Sequence, residues 1–91
     1  MATVKTWTRI VPCNRLRITL RVDRIAVSNP STVDAACWSE VSAFPSLTTE
    51  KYAPADVIAF VDRILSQYPA VDEVEVFDEA KGVGVGRRRS P

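Results

Sequence analysis

PADVIAFVDRILSQYPAVDEVEVF, residues 54–77, changes its apolar period partway along, and that change decides the fold class. At about 100° per residue, Val57, Ile58, Phe60, Val61, Ile64, Leu65 and Tyr68 share one sector of a helix. Asp56, Asp62, Arg63, Ser66 and Gln67 fall outside it. Pro54 suits the first helical turn, and Pro69 ends the pattern. Beyond Pro69 the period drops to two. Val71 to Phe77 reads as a strand, with Val74 and Val76 on one face and Glu73 and Glu75 on the other. A helix with a single apolar face needs a sheet to cover, and the flanking segments supply strands.

Upstream, Arg15 to Val22 alternates cleanly. Leu16, Ile18, Leu20 and Val22 take one face, and Arg15, Arg17, Thr19 and Arg21 the other. Pro12-Cys13-Asn14 is a turn signal, and Val4 to Val11 before it is strand-like, so the first 27 residues read as an antiparallel hairpin. Ile25 and Val27 shift the apolar phase by one, which predicts a β-bulge near residue 23 or a strand end there. Ser31, with Asp34 three residues later, has the spacing of a capping box. Val33, Ala36, Cys37, Val41 and Phe44 then predict a helix over 32–43 that stops before Pro45. Residues 46–53 read as a loop or a short edge strand.

Downstream, Asp78 to Gly82 is a five-residue hairpin loop ending in glycine, and Val83-Gly84-Val85-Gly86 is a weak fourth strand. The order ββααββ predicts an α+β fold: an antiparallel sheet of about four strands with two helices on one face. Residues 1–86 make a single domain, and 87–91 make a basic C-terminal tail.

The net charge of +1 conceals segregation. Residues 1–24 carry six cations against Asp23; residues 25–80 carry ten acids against Lys51 and Arg63; residues 81–91 carry four cations and no acid. No apolar run approaches the ~20 residues that span a bilayer, and the N-terminal residues lack a signal-peptide stretch. These features predict an intracellular, cytoplasmic protein without membrane contact. Histidine is absent, which removes the commonest general base and metal ligand. Cys13 and Cys37 are 24 residues apart with no CxxC motif, and they read as two reduced thiols.

Five constellations remain. Arg15, Arg17 and Arg21 form a row that suits phosphates or a protein partner; the plainer reading pairs them with Glu73 and Glu75 on a neighbouring strand. Arg87, Arg88 and Arg89 suit a polyanion or an acidic groove, or else form a solubilising end. Gly82 to Gly86 lacks the helix that a phosphate loop requires, and reads as a glycine-softened edge strand open to β-augmentation. Trp38 lies about 115° from the centre of its helix's apolar sector, and Trp7 shares a strand face with Lys5 and Arg9; both are candidate interface anchors or edge packing. Glu40 falls about 35° from the apolar centre of the same helix, where burial would raise its pKa; it snorkels to an edge, pairs with an arginine of the hairpin, or has a chemical role.

These readings predict a non-enzymatic protein–protein interaction module with no cofactor and no metal. Trp7, Arg15, Arg17, Arg21, Trp38, Arg87, Arg88 and Arg89 are its expected contact residues. Such a module serves as a subunit of a larger assembly, a virion among them, or as a small factor that binds and modulates a partner complex. The alternative is a small nucleic-acid-binding protein that uses the basic hairpin face and the arginine tail.

Overall fold

A computed structural model describes residues 4–23 and 30–89 of the chain. Its elements run β1 (Val4–Val11), β2 (Leu16–Asp23), α1 (Pro30–Ser42), a short 3-10 helix (Pro45–Thr48), α2 (Pro54–Gln67), β3 (Val71–Asp78) and β4 (Val83–Arg88). The four strands form one antiparallel sheet in the order β1-β2-β3-β4. The helical segment is therefore inserted between the two central strands, and the chain is an α+β fold as its order of periods predicts.

Alternation decides which sheet face is covered. Leu16, Ile18, Leu20 and Val22 of β2 and Val74 and Val76 of β3 are buried beneath the helices. α2 contributes Val57, Phe60, Val61 and Ile64, and α1 contributes Val33, Cys37 and Val41. Phe44 meets Phe60 edge to face, with ring centroids 6.3 Å apart. Ile58 departs from the expected apolar sector: it stands at the margin of α2, 42% exposed, facing the β4 edge.

The expected register irregularity is present, but its extra residue lies on β3. The shift falls between Arg21 and Val22, where the β3 register skips Asp72. This bulge lets Val71 and Val74, three residues apart, both turn inward. Ile25 and Val27, whose phase suggested it, lie outside the described residues.

Two local expectations change. α1 starts at Pro30, and Asp34 does not close a capping box, because its carboxylate accepts two hydrogen bonds from Arg9 of β1. Within 46–53 the structure places a 3-10 turn rather than an edge strand. Pro45 opens it, and Leu47 is buried. The β1–β2 loop holds this turn in place: the Asn14 amide donates to the Leu47 and Thr49 carbonyls at 2.7 and 2.8 Å, and the Cys13 thiol donates to the Thr48 carbonyl at 2.9 Å.

The two hairpin loops share one geometry. In each, the fourth loop residue donates its N–H back to the residue four before it: Arg15 to Val11, Gly82 to Asp78. That fourth residue is left-handed in both, with φ of 60° at Arg15 and 71° at Gly82. A side chain disfavours this region. Arg15→Gly is therefore expected to raise unfolding stability by roughly 0.5–1 kcal/mol, the relief of strain outweighing the added freedom of the unfolded chain. Urea unfolding measures it, and a loss of stability would contradict the shared-loop account.

Candidate functional site at the β4 edge

The open sheet face carries the arginine row of β2. Its neighbour is β3, and Arg21 stands opposite Glu73 while Thr19 stands opposite Glu75. The ion pairs form elsewhere. Arg17 reaches Glu79 at 2.8 Å and lies 5.0 Å over the Phe77 ring, which stands opposite it in register. Glu73 is met from the other side by Arg88, at 3.7 Å. Among the described residues neither Arg15 nor Arg21 has an ion-pair partner. With Glu73 and Glu75 interleaved, the face is mixed in sign rather than a basic stripe.

The arginines expected as a tail are built into the fold. Arg87 and Arg88 are strand residues, because β4 pairs with β3 through Arg88. Arg87 reaches Asp62 of α2 at 3.3 Å. Arg89 donates its N–H to the Asp72 carbonyl, and its guanidinium donates to the carbonyls of Leu65, Tyr68 and Val71. A cation on the last carbonyls of a helix satisfies orphan acceptors and meets the negative end of the helix dipole. Three non-local partners thus replace the flexible end that the local sequence suggests.

Trp7 and Trp38 both pack half-buried against the core. Val11 of β1 is buried opposite Leu16, so the strand face shared by Trp7, Arg9 and Val11 is the one beneath the helices. Arg9 bridges this side, bound to Asp34 and 6.0 Å from the Trp38 ring. Glu40 is buried, as its place on the apolar face predicts, but its partners come from α2 and beyond rather than from the hairpin. Arg63 donates to one carboxylate oxygen, and the Tyr68 hydroxyl donates to the other at 3.1 Å. Burial, and then that bond, raises the Tyr68 pKa. Cys13 and Cys37 are free; burial pushes the Cys37 thiol up to about 12. Among the described residues no three metal-ligating side chains converge, and no helix is long and apolar enough to cross a membrane.

β4 is one of the sheet's two edge strands, β1 being the other, and its hydrogen-bond phase follows from one contact. Arg89 N–H bonds the Asp72 carbonyl in the register that sets Arg88 opposite Glu73. Hydrogen-bonded and non-hydrogen-bonded pairs alternate in an antiparallel ladder. Val83, Val85 and Arg87 therefore direct their backbone groups at β3. Gly84, Gly86 and Arg88 direct theirs away from the sheet. Gly84 is required sterically, since an added Cβ would sit 2.9 Å from the Val76 carbonyl and 3.0 Å from the Phe77 ring. Gly86 is not: its Cβ would meet nothing closer than 3.7 Å.

Beside this edge lies a hollow of about 350 Å³ between α2 and β4. Val57, Ile58, Val83 and Val85 make it apolar, and Tyr52, Asp78 and Lys81 stand at one end. Val83 is 58% exposed. The local sequence places Asp78 in a five-residue hairpin loop, but the structure makes it the last residue of β3 and leaves a four-residue loop. The even spacing of Asp78 from Val74 and Val76 was the available signal, since that parity puts its side chain on the covered face. The carboxylate is buried and fully engaged: Tyr52 hydroxyl donates to one oxygen, and the Ala80 and Lys81 N–H groups donate to the other at 2.9 Å. The Lys81 ammonium lies 5.3 Å over the Tyr52 ring.

No family model, curated protein or solved structure matches the chain. Its surfaces must be read on their own chemistry.

The Tyr52–Asp78 bond ties stability to pH at both extremes. The tyrosine hydroxyl, followed by the backbone donors, holds the Asp78 carboxyl below its ordinary value, and the same bond pushes Tyr52 up to about 12. A lowered carboxyl stabilises the fold fully above its unfolded pKa of about 3.9, and the effect is lost as pH falls through the native value. A raised phenol stabilises fully below about 10, and the effect is lost as pH climbs through the native value. Tyr52→Phe is expected to lower Tm by several degrees near neutrality, with the deficit narrowing toward both acid and alkaline pH. Thermal unfolding across pH checks this, and a deficit constant with pH would count against it.

Proposed function

We propose that this protein is a non-enzymatic protein–protein interaction module, acting as an assembly subunit or as a small factor on a partner complex. Its contact surface is the β4 edge with the hollow beside it. The outward backbone groups of Gly84, Gly86 and Arg88 carry this reading. Among the described residues they are unpaired, and so offer a template for another strand, lying directly against exposed apolar side chains at Ile58 and Val83.

Several observations support it. Natural sheets blunt exposed edges, and a strand glycine with no steric need weakens its strand. Gly86 is such a residue, and a flat backbone suits the close approach of a second chain. Of the residues expected from sequence as contacts, Arg87 and Arg88 border this edge. Trp7 and Trp38 are half-covered by the protein's own core. Glu40, the side chain nearest to an acid–base role, lines none of the three hollows described on the surface, and Arg63 and Tyr68 occupy it. A nucleic-acid surface fits less well, because Glu73 and Glu75 are interleaved with the arginines of the open sheet face and would repel phosphate there.

Gly86→Pro tests the surface. The proline removes an N–H that points away from β3, so the ladder loses no hydrogen bond, while the edge loses a donor. Gly86→Ala is the control, since its methyl group fits. With both variants folded by circular dichroism, the alanine protein is expected to capture the same partner from its native cells as the parent, and the proline protein to lose it. Equal capture by the proline variant would refute the β4 edge as the contact surface.

A further inference from the structure

The β4 edge also constrains what can occupy it. We infer that it accepts an extended, acidic segment of a different protein, running antiparallel to β4, with apolar side chains on alternate positions. This rests on the reading of β4 as the contact surface and adds the chemistry of the occupant.

The alternation comes from the two faces of β4. A strand hydrogen-bonded to Gly84 and Gly86 places the residues opposite Val83 and Val85 on the helix side, over Ile58 and the hollow. Those two positions want apolar side chains. The residues opposite Gly84 and Gly86 emerge on the open sheet face, where the glycines offer no side chain to pack against, and polar residues serve there.

The charge comes from the edge itself. From Ala80 to Arg89 the chain has Lys81, Arg87, Arg88 and Arg89 and no acid. Arg87 and Arg88 have only loose partners, at 3.3 and 3.7 Å, with more than half of each arginine side chain exposed. Among the described residues Lys81 has no ion-pair partner. Carboxylates at both ends of an incoming strand would meet these cations.

The same charges argue against a second copy of this chain. Antiparallel self-pairing centred on Gly84 sets Arg87 opposite Lys81 of the other copy. Centred on Val85, it sets Arg89 opposite Lys81. Centred on Gly86, it sets Arg87 opposite Val85 and diagonally across from Arg87 of the other copy. Like charges oppose each other directly in the first two registers and diagonally in the third, and each arrangement disfavours the pair.

The test uses the peptide EETVTIE, capped at both ends, titrated into the 15N-labelled protein. Its valine faces Val85 and its isoleucine faces Val83 when it pairs antiparallel. Saturable shifts are expected to be largest at the Gly84, Gly86 and Arg88 amides. The charge-reversed peptide KKTVTIK is expected to bind about tenfold more weakly, and Ile58→Ser to weaken the acidic peptide about fivefold. Ile58 is already exposed, so that variant leaves the fold intact. Equal binding of the two peptides, no shift at these amides at millimolar peptide, or a dimer by light scattering with these amides protected would overturn the inference. The broader reading fails separately, through unchanged partner capture by Gly86→Pro.

Discussion

Phe60 has no exposed surface, and with Val57, Val61 and Ile64 it presses one face of α2 onto the inner sides of β2 and β3. Removing such a ring from a core costs about 3–5 kcal/mol, a large share of what a domain this small can hold. Because only one sheet face is covered, the buried apolar residues lie on that side, and charges caught there must find partners. They do so across long sequence separations. Glu40 takes Arg63 and Tyr68, Asp34 takes Arg9, Asp78 takes Tyr52, and the α2 carbonyls take Arg89. A buried charge left unpaired would cost more than any of these contacts contributes. The helix side is therefore a closed set of satisfied charges, and surface open to a partner is left at the margins.

β4 is the margin that stands out. Its inner-face residues, Val83 and Val85, extend the apolar side to the sheet's edge, where Val85 is only partly buried and Val83 is exposed. The result is a hollow with an apolar lining and a row of outward backbone groups above it. Arg89 fastens the far end of the strand to the last carbonyls of α2, so the edge is held in register. That rigidity matters for recognition, since a strand already ordered loses little conformational entropy when another pairs with it.

Elements with a clear period were legible in the sequence. α2, β2 and β3 show their faces because burial alone decides their patterns, but the adjacency of β2 and β3 is not carried by those patterns and appears only in their pairing. β1 was harder. Thr6, Thr8 and Ile10 look no more polar than Trp7, Arg9 and Val11, yet the second set faces the helices. Arg9 is tolerated there only because Asp34, 25 residues away, receives it. The residues read as a tail failed for the same reason: a run of glycines and arginines has no apolar period, and its strand is defined by Glu73, Asp62 and the end of α2. The place of Asp78 on the covered face is legible through its parity with Val74 and Val76, but its partner Tyr52 lies 26 residues away and carries no local signal. The candidate site is thus partly visible, as a glycine-softened edge strand, while its hollow depends on contacts that no local pattern carries.

The most direct measurement is amide hydrogen exchange along β4 in the free protein. The account requires alternation, with slow exchange at Val83, Val85 and Arg87, whose N–H groups bond β3, and fast exchange at Gly84, Gly86 and Arg88, whose N–H groups face outward. Uniformly slow exchange would mean the edge is already covered, and uniformly fast exchange would mean β4 is not held on the sheet. Either pattern would contradict an ordered, open edge as the working surface of this protein.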